Sequence, residues 1–235
     1  MMTRGRNGRA EPRLYQQVAD RIRSLIREGT FPPLSRLPAE RDLAAQLAVS
    51  RPSLREALIA LEIDGSVEIK MGSGVYVCRP VEPSPDHVAA ATGGLGESPS
   101  ELMEARAAIE GVVAVMACSR MPAEALAVIR QALNLMRTAV EAGRSPLEQD
   151  RAFHLAIATQ AGNPVLTRII GQLFDERHSL LSTRISHKFE SRHTWVAALA
   201  EHEAILAALE AAEPLRAETA MRIHIQQSAD RWTLT

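Results

Sequence analysis

No apolar run in the chain reaches the ~18 residues that a membrane-spanning helix needs. The first thirty residues are rich in arginine and lack the apolar core of an export signal, so the protein is expected in the cytoplasm with no membrane partner. Cysteine is scarce. Cys78 and Cys118 fall far apart in different expected domains, which gives neither a disulfide framework nor a metal-ligand pair. Each reads as a small buried hydrophobe, with a redox switch at Cys78 as the alternative. There is no Gly-rich phosphate loop, no HExxH, no strand-borne nucleophile motif and no internal repeat. Net charge is only −1, but it is unevenly spread. Residues 1–80 hold 13 Lys+Arg against 9 Asp+Glu, or +4, and the remainder holds 14 against 19, or −5. A basic amino-terminal half points to a polyanionic partner for that half.

What is present begins with the stretch Leu37–Val77. Pro38 opens a short helix whose Leu43, Ala44 and Leu47 share one face, and a turn follows at Ala48 and Val49. Ser50 is placed to cap a second helix, with Pro52 in its first turn and Leu54, Ala57, Leu58 and Leu61 at helical spacing. Arg51, Ser53 and Arg55 occupy the opposite face near its N-terminus, the end that enters a major groove in helix-turn-helix proteins. After Gly65 the pattern alternates as VEIK, turns through MGSG and returns as VYV, which is a hairpin or wing. Lys70 supplies a cation beside its tip. An earlier helix is expected from Leu14 to about Glu28, with Leu14, Val18, Ile22, Leu25 and Ile26 on one face and Gly29 ending it. Arginine on a helix face is usually only solvated charge. Clustering at one helix end, between a preceding helix and a following hairpin, argues for double-stranded DNA as the partner.

The segment Tyr15–Val77, through LPAERDLA, VSRPSLREAL and GSGVYV, resembles the winged-helix domain of the GntR family of bacterial regulators. The resemblance implies DNA-contact roles for Arg41, Ser50, Arg51, Ser53, Arg55 and the wing-tip Gly72. Two positions depart from the family pattern: Leu34 stands where glycine is usual, and Ser66 where a bulky apolar residue is usual.

The expected organisation is a mobile basic arm at 1–10, a DNA-binding domain at 11–79, a linker at 80–99 and an all-helical domain at 100–231. The fold class is mainly α: a winged helix-turn-helix of three helices and a two-stranded wing, followed by a bundle of six or seven helices. The linker holds four prolines and three glycines, with a short turn expected at His87–Ala91. Bundle helices are expected at 101–119, 122–142, 146–160, 164–183, 192–211 and 214–231.

Within the bundle, Asp150 and His154 stand four apart, which puts both side chains on one helix face. His202 and His224 fall on two later helices that a bundle can bring to the same point. Three imidazoles and one carboxylate suit a divalent transition metal: zinc, with nickel or manganese as alternatives, better than calcium. Taken singly, each histidine reads as a surface or satisfied core residue. The region Leu102–Ile225, through ELMEARAAIE, DRAFH, AGNPVL, EHEAIL and MRIH, is similar to the FCD ligand-binding domain of the FadR-like branch of the same family. That resemblance implies that Asp150, His154, His202 and His224 are the metal ligands. It also implies that Arg106 grips a carboxylate effector, the alternative being an i,i+4 ion pair with Glu110. Asn163 contributes to the pocket or simply ends a helix, and Arg177, His178, Arg184 and His187 lie in the region that would line the cavity.

The expected function is a homodimeric transcription regulator, by default a repressor, released from a palindromic operator by a small carboxylate. Several segments resemble regulators of hexuronate use, which implies a uronic acid or aldonate, with lactate, glycolate or amino acids as alternatives. A metal-dependent hydrolase using the Asp/His/His/His set is the rival from another class.

Overall fold

In a computed structural model of the protein, residues 12–79 and 94–232 are described. The basic arm at 1–10 and most of the expected linker, with its turn at His87–Ala91, lie outside the described residues. The chain divides into two units, residues 1–94 and 95–235.

In the first unit, α1 (Leu14–Arg27) turns Tyr15, Val18, Ala19 and Ile22 inward, while Leu14 is left half in solvent. The buried stripe is thus set one residue later than Leu14. It packs on α3 (Arg51–Ile63), against which α2 (Glu40–Leu47) also lies. Leu43, Leu54, Leu58 and Leu61 close this small core at 1% exposure or less, each contributing about 1.5–3 kcal/mol of transfer free energy. The α2–α3 turn passes through Ala48 in a left-handed conformation (φ 55°, ψ 43°).

Strands β1 (Val67–Lys70) and β2 (Gly74–Val77) pair antiparallel with Val67 opposite Val77 and Lys70 opposite Gly74. The alternation delivers Val67, Val75 and Val77 to the core. A third strip joins them. Leu34 and Leu37 donate backbone N–H groups to the carbonyls of Val77 and Val75, and Val77 donates to Ser35. Leu34 opens this strip at φ 66°, the left-handed region that the usual glycine fits and leucine does not. Gly72 at the wing tip has φ 71°. Gly74 has φ 118°, a conformation that L side chains rarely adopt, and its open face is covered by the Arg36 guanidinium. At the other departure, the Ser66 N–H is held by an Asp64 carboxylate oxygen at 2.9 Å.

The second unit is helical throughout its described residues. Its helices are α4 (Pro99–Cys118), α5 (Ala123–Glu141), α6 (Leu147–Gln160), α7 (Pro164–Asp175), α8 (Leu180–Phe189), α9 (Arg192–Glu210) and α10 (Pro214–Asp230). The single helix expected at 164–183 is broken: a 3-10 turn at Glu176–His178 is followed by Ser179 in extended backbone, whose hydroxyl caps α8 by accepting from the Ser182 N–H. Seven helices result. Helix α4 begins two residues before the expected Glu101 because Ser98 caps it and Pro99 occupies its first turn. The main packing pairs are α4 with α10, α10 with α9, α5 with α6 and α9, and α6 with α4 and α7. Phe153, Ile157, Ile129, Ile205 and Ile225 fill the space between them at 1% exposure or less.

The strained Ala48 supplies a first prediction. It is exposed, so Ala48→Gly loses no packing while relieving the left-handed conformation. The variant is expected to stabilise the first unit by about 0.5–1 kcal/mol, read as a higher midpoint in thermal unfolding.

Candidate functional sites

At the DNA-reading end, Ser50 caps α3: its hydroxyl accepts from the Ser53 N–H at 3.2 Å and shares a hydrogen bond with the Ser53 hydroxyl at 2.8 Å. Arg51 is exposed at the helix start, and the Arg41 side chain is 85% exposed beside Asp42. Lys70 is half exposed, pairs with Glu68 at 3.3 Å and lies 5.1 Å from the Tyr76 ring centroid. Arg55 sits elsewhere than the reading face expected from sequence. It is 6% exposed, and its Nε donates to Glu40 Oε2 at 3.1 Å. The pair ties α3 to the first turn of α2, and nothing in the spacing of LPAERDLA and SLREAL distinguishes that brace from a DNA contact.

In the helical unit, the four expected metal-type residues converge. One ligand atom from each of Asp150, His154, His202 and His224 lies within 4.8 Å of all the others. Helix α6 brings Asp150 and His154, α9 brings His202 and α10 brings His224. The Asp150 carboxylate is 2.9 Å from His202 Nε2 and 3.5 Å from His154 Nε2. Each imidazole is fastened at its other nitrogen. His154 Nδ1 bonds Glu110, His202 Nδ1 lies 2.7 Å from the Ala198 carbonyl, and His224 Nδ1 lies 2.8 Å from Glu201 Oε2. A proton held at Nδ1 by such acceptors leaves the Nε2 lone pair directed at the centre. His154 Nε2 is buried there without a hydrogen-bond partner.

The electrostatics follow from burial and these contacts. Burial would raise the Asp150 pKa, but the His154 and His202 imidazoles beside it and the charge of Arg177 hold it well below the usual range. Burial favours neutral His224, and the neighbouring His202 and His154 push it further down, well below the ordinary histidine value. For His154, burial is outweighed by Glu110 and Asp150, so its pKa rises. Glu110 is brought down to about 2: burial opposes this, and Arg106 and His154 overcome it.

Arg106 is 1% exposed, donates from Nε to Glu110 Oε1 at 2.7 Å and stacks 3.8 Å from the Phe174 ring centroid. Its Nη2 is buried without a hydrogen-bond partner. The i,i+4 pair is therefore present, and Glu110 extends it to His154. Asn163 caps α7, its side-chain oxygen accepting from Val165 N–H at 3.0 Å. It does not line the cavity beside the cluster. That cavity is lined by Asp150, His202 and His224 together with Arg177, Glu190, Trp195, Arg231 and Trp232. Arg177 donates to Asp150 Oδ2 at 2.8 Å and to Glu190 at 3.3 Å. Arg231 grips both oxygens of Glu201 at 2.6 and 3.1 Å. His178 is exposed near Glu148, and Arg184 and His187 are exposed on α8. The spacing gave no sign of Glu190, Glu201, Arg231 or the two tryptophans, since they reach the site only through packing of α9, α10 and the end of α8.

A winged helix-turn-helix unit joined to a helical unit holding a ligand-type cavity defines a DNA-binding transcription regulator. Residues 14–77 match the family model "Bacterial regulatory proteins, gntR family", and residues 101–227 match the FCD domain. The chain belongs to the GntR family of regulators and carries an FCD domain. It is 36% identical to the Uxu operon transcriptional regulator of Escherichia coli K12, over 93% of this chain and 86% of that protein. It is 32% identical to the Exu regulon transcriptional regulator of the same strain, over 93% and 84%. Among solved structures, E. coli McbR/YncC shares the fold, with a TM-score of 0.52 and 20% identity over 94% of this chain and 98% of that one. No helix among the described residues is long and apolar enough to cross a membrane.

The Glu40–Arg55 brace generates a second prediction. Arg55→Ala removes a buried charge partner and its packing, and is expected to lower the unfolding midpoint of the first unit, at a cost of about 1–3 kcal/mol. Arg51→Ala, on an exposed position, is expected to leave that midpoint unmoved.

Proposed function

We propose that the protein is a homodimeric repressor of a sugar-acid catabolic operon, bound to a palindromic operator and released by a hexuronate-class carboxylate seated beside a divalent metal. The observation that carries this reading is the cluster itself: three imidazoles, each fastened at Nδ1, turn Nε2 toward one carboxylate at the wall of a cavity. The donor set fits zinc best, with nickel or manganese also suited. Asp150, His154, His202 and His224 would hold the ion, which when bound supplies a positive centre for the effector's oxygens. The sugar-acid class comes from the names of the Uxu and Exu relatives. The apolar walls from Trp195 and Trp232, beside Arg177 and Arg231, suit a molecule with C–H faces and an acidic group.

On the DNA side, Arg41, Arg51, Lys70 and the wing tip at Gly72 are assigned to contact duplex DNA. Ser50 and Ser53 shape the start of α3, and Arg55 holds α3 at its angle to α2. Pairing of two copies places two such units on a palindrome. Release by an effector requires that the acid bind the DNA-free state more tightly than the DNA-bound state, since equal affinity shifts nothing.

The test is operator binding by the full-length protein. Arg51→Ala is expected to weaken binding by about 1–3 kcal/mol, and removal of one phosphate contact reduces the salt slope by about 1. Zinc uptake, measured by competition with a chromophoric chelator, is expected to fall at least about tenfold in His154→Ala. In that variant, D-glucuronate or D-galacturonate is expected to lose its power to release the operator. Operator binding indifferent to every hexuronate, in zinc-loaded wild-type protein, would refute the sugar-acid reading.

A further inference from the structure

Three hydrogen-bonded groups meet at the cluster, Arg106–Glu110–His154, Glu190–Arg177–Asp150–His202 and Arg231–Glu201–His224, and together they form a network of seven charged side chains. Four are carboxylates, Glu110, Asp150, Glu190 and Glu201, and three are guanidiniums, Arg106, Arg177 and Arg231. None is more than 18% exposed as a side chain. At that depth a surplus charge is poorly screened and costly. With three neutral imidazoles, the seven leave one net negative charge. A divalent ion turns this into one net positive charge.

We propose that the cavity selects an acid carrying a single negative charge, discriminating against neutral sugars and against diacids of the same size, with Arg177 and Arg231 as the selecting cations. The proposal rests on the cluster being a divalent-metal site. A monoanion brings the network to neutrality; a neutral sugar leaves the positive surplus, and a diacid replaces it with a negative one. Arg177 and Arg231 are the guanidiniums that line the cavity, whereas Arg106 does not. Both are held in place from behind. Arg177 spans Asp150 and Glu190, and Arg231 is clamped by Glu201, whose other contact is His224. They face the cavity with their orientations set before any ligand arrives, which lowers the ordering cost of binding. Glu190, held by Arg177, the Ser186 hydroxyl and the Trp195 indole N–H, lines the cavity beside Asp150 and is the carboxylate there outside the metal-type cluster.

The chain's two tryptophans both line this cavity, so their fluorescence reports its occupancy. Zinc-loaded full-length protein is titrated with D-glucuronate, with the diacid D-glucarate and with neutral D-glucose. Glucuronate is expected to bind at least about tenfold more tightly than either. Glu190→Gln raises the cavity charge by one and is expected to move the preference toward glucarate by about tenfold. Arg231→Gln is expected to weaken glucuronate by about tenfold, and Arg231→Lys, which keeps the charge, to restore most of the loss. Zinc-loaded protein that binds glucarate as well as glucuronate, or that binds none of the three, overturns the charge rule. An unchanged preference in Glu190→Gln overturns it too. Protein that takes up no zinc overturns the metal reading beneath it instead.

Discussion

The carboxylate of Asp150 is the point on which the helical unit's chemistry converges. It faces His202 Nε2 at 2.9 Å, accepts from Arg177 at 2.8 Å and lies 3.5 Å from His154 Nε2. A buried carboxylate so surrounded stays ionised because every neighbour donates to it or can carry positive charge. The arrangement depends on core packing as much as on polar contacts. Phe153, adjacent to His154 on α6 and fully buried, sets its ring edge-on to both His154 and His202, with centroids 5.7 and 4.8 Å apart. The site is thus cut into the same core that holds α6, α9 and α10 together, which is how a site acquires sub-ångström precision without rigid loops.

The parts of this site legible in sequence were those set by spacing along a single helix. Asp150 and His154 declare themselves because four residues is one turn. Arg106 and Glu110 do so for the same reason, although the spacing could not reveal that Glu110 turns its second oxygen to His154 on another helix. Glu201 shows why the rest was hidden. It is next to His202 in sequence, so on a helix it projects about 100° away, and it serves His224 on α10 rather than its neighbour. No pattern in EHEAIL encodes that. The misjudged helix at 164–183 has a similar origin: Ser179 reads as an ordinary helix residue until its hydroxyl is seen capping the segment that follows.

In the DNA-reading unit the helices and the hairpin were legible because alternation and helical spacing each leave a clean trace. Side-chain direction was less so. Arg55 falls four residues after Arg51 and shares its face by spacing, yet Arg55 is 6% exposed with its Nε bonded to Glu40, whereas Arg51 is an exposed residue. A guanidinium near a helix start can serve the groove or the neighbouring helix, and the competing partner decides. Here that partner lies fifteen residues away in the first turn of α2.

The uneven charge of the two halves gives the device a further property. A chain of net charge −1 has little overall attraction for a polyanion, yet residues 1–80 carry +4 and the rest −5. Because the Debye length at physiological salt is about 8 Å, phosphates respond to charge within their immediate reach and hardly at all to the whole-molecule sum. Any attraction to DNA therefore follows the local charge of residues 1–80, which include the exposed Arg41, Arg51 and Lys70, while the acidic remainder disfavours non-specific contact through the helical unit.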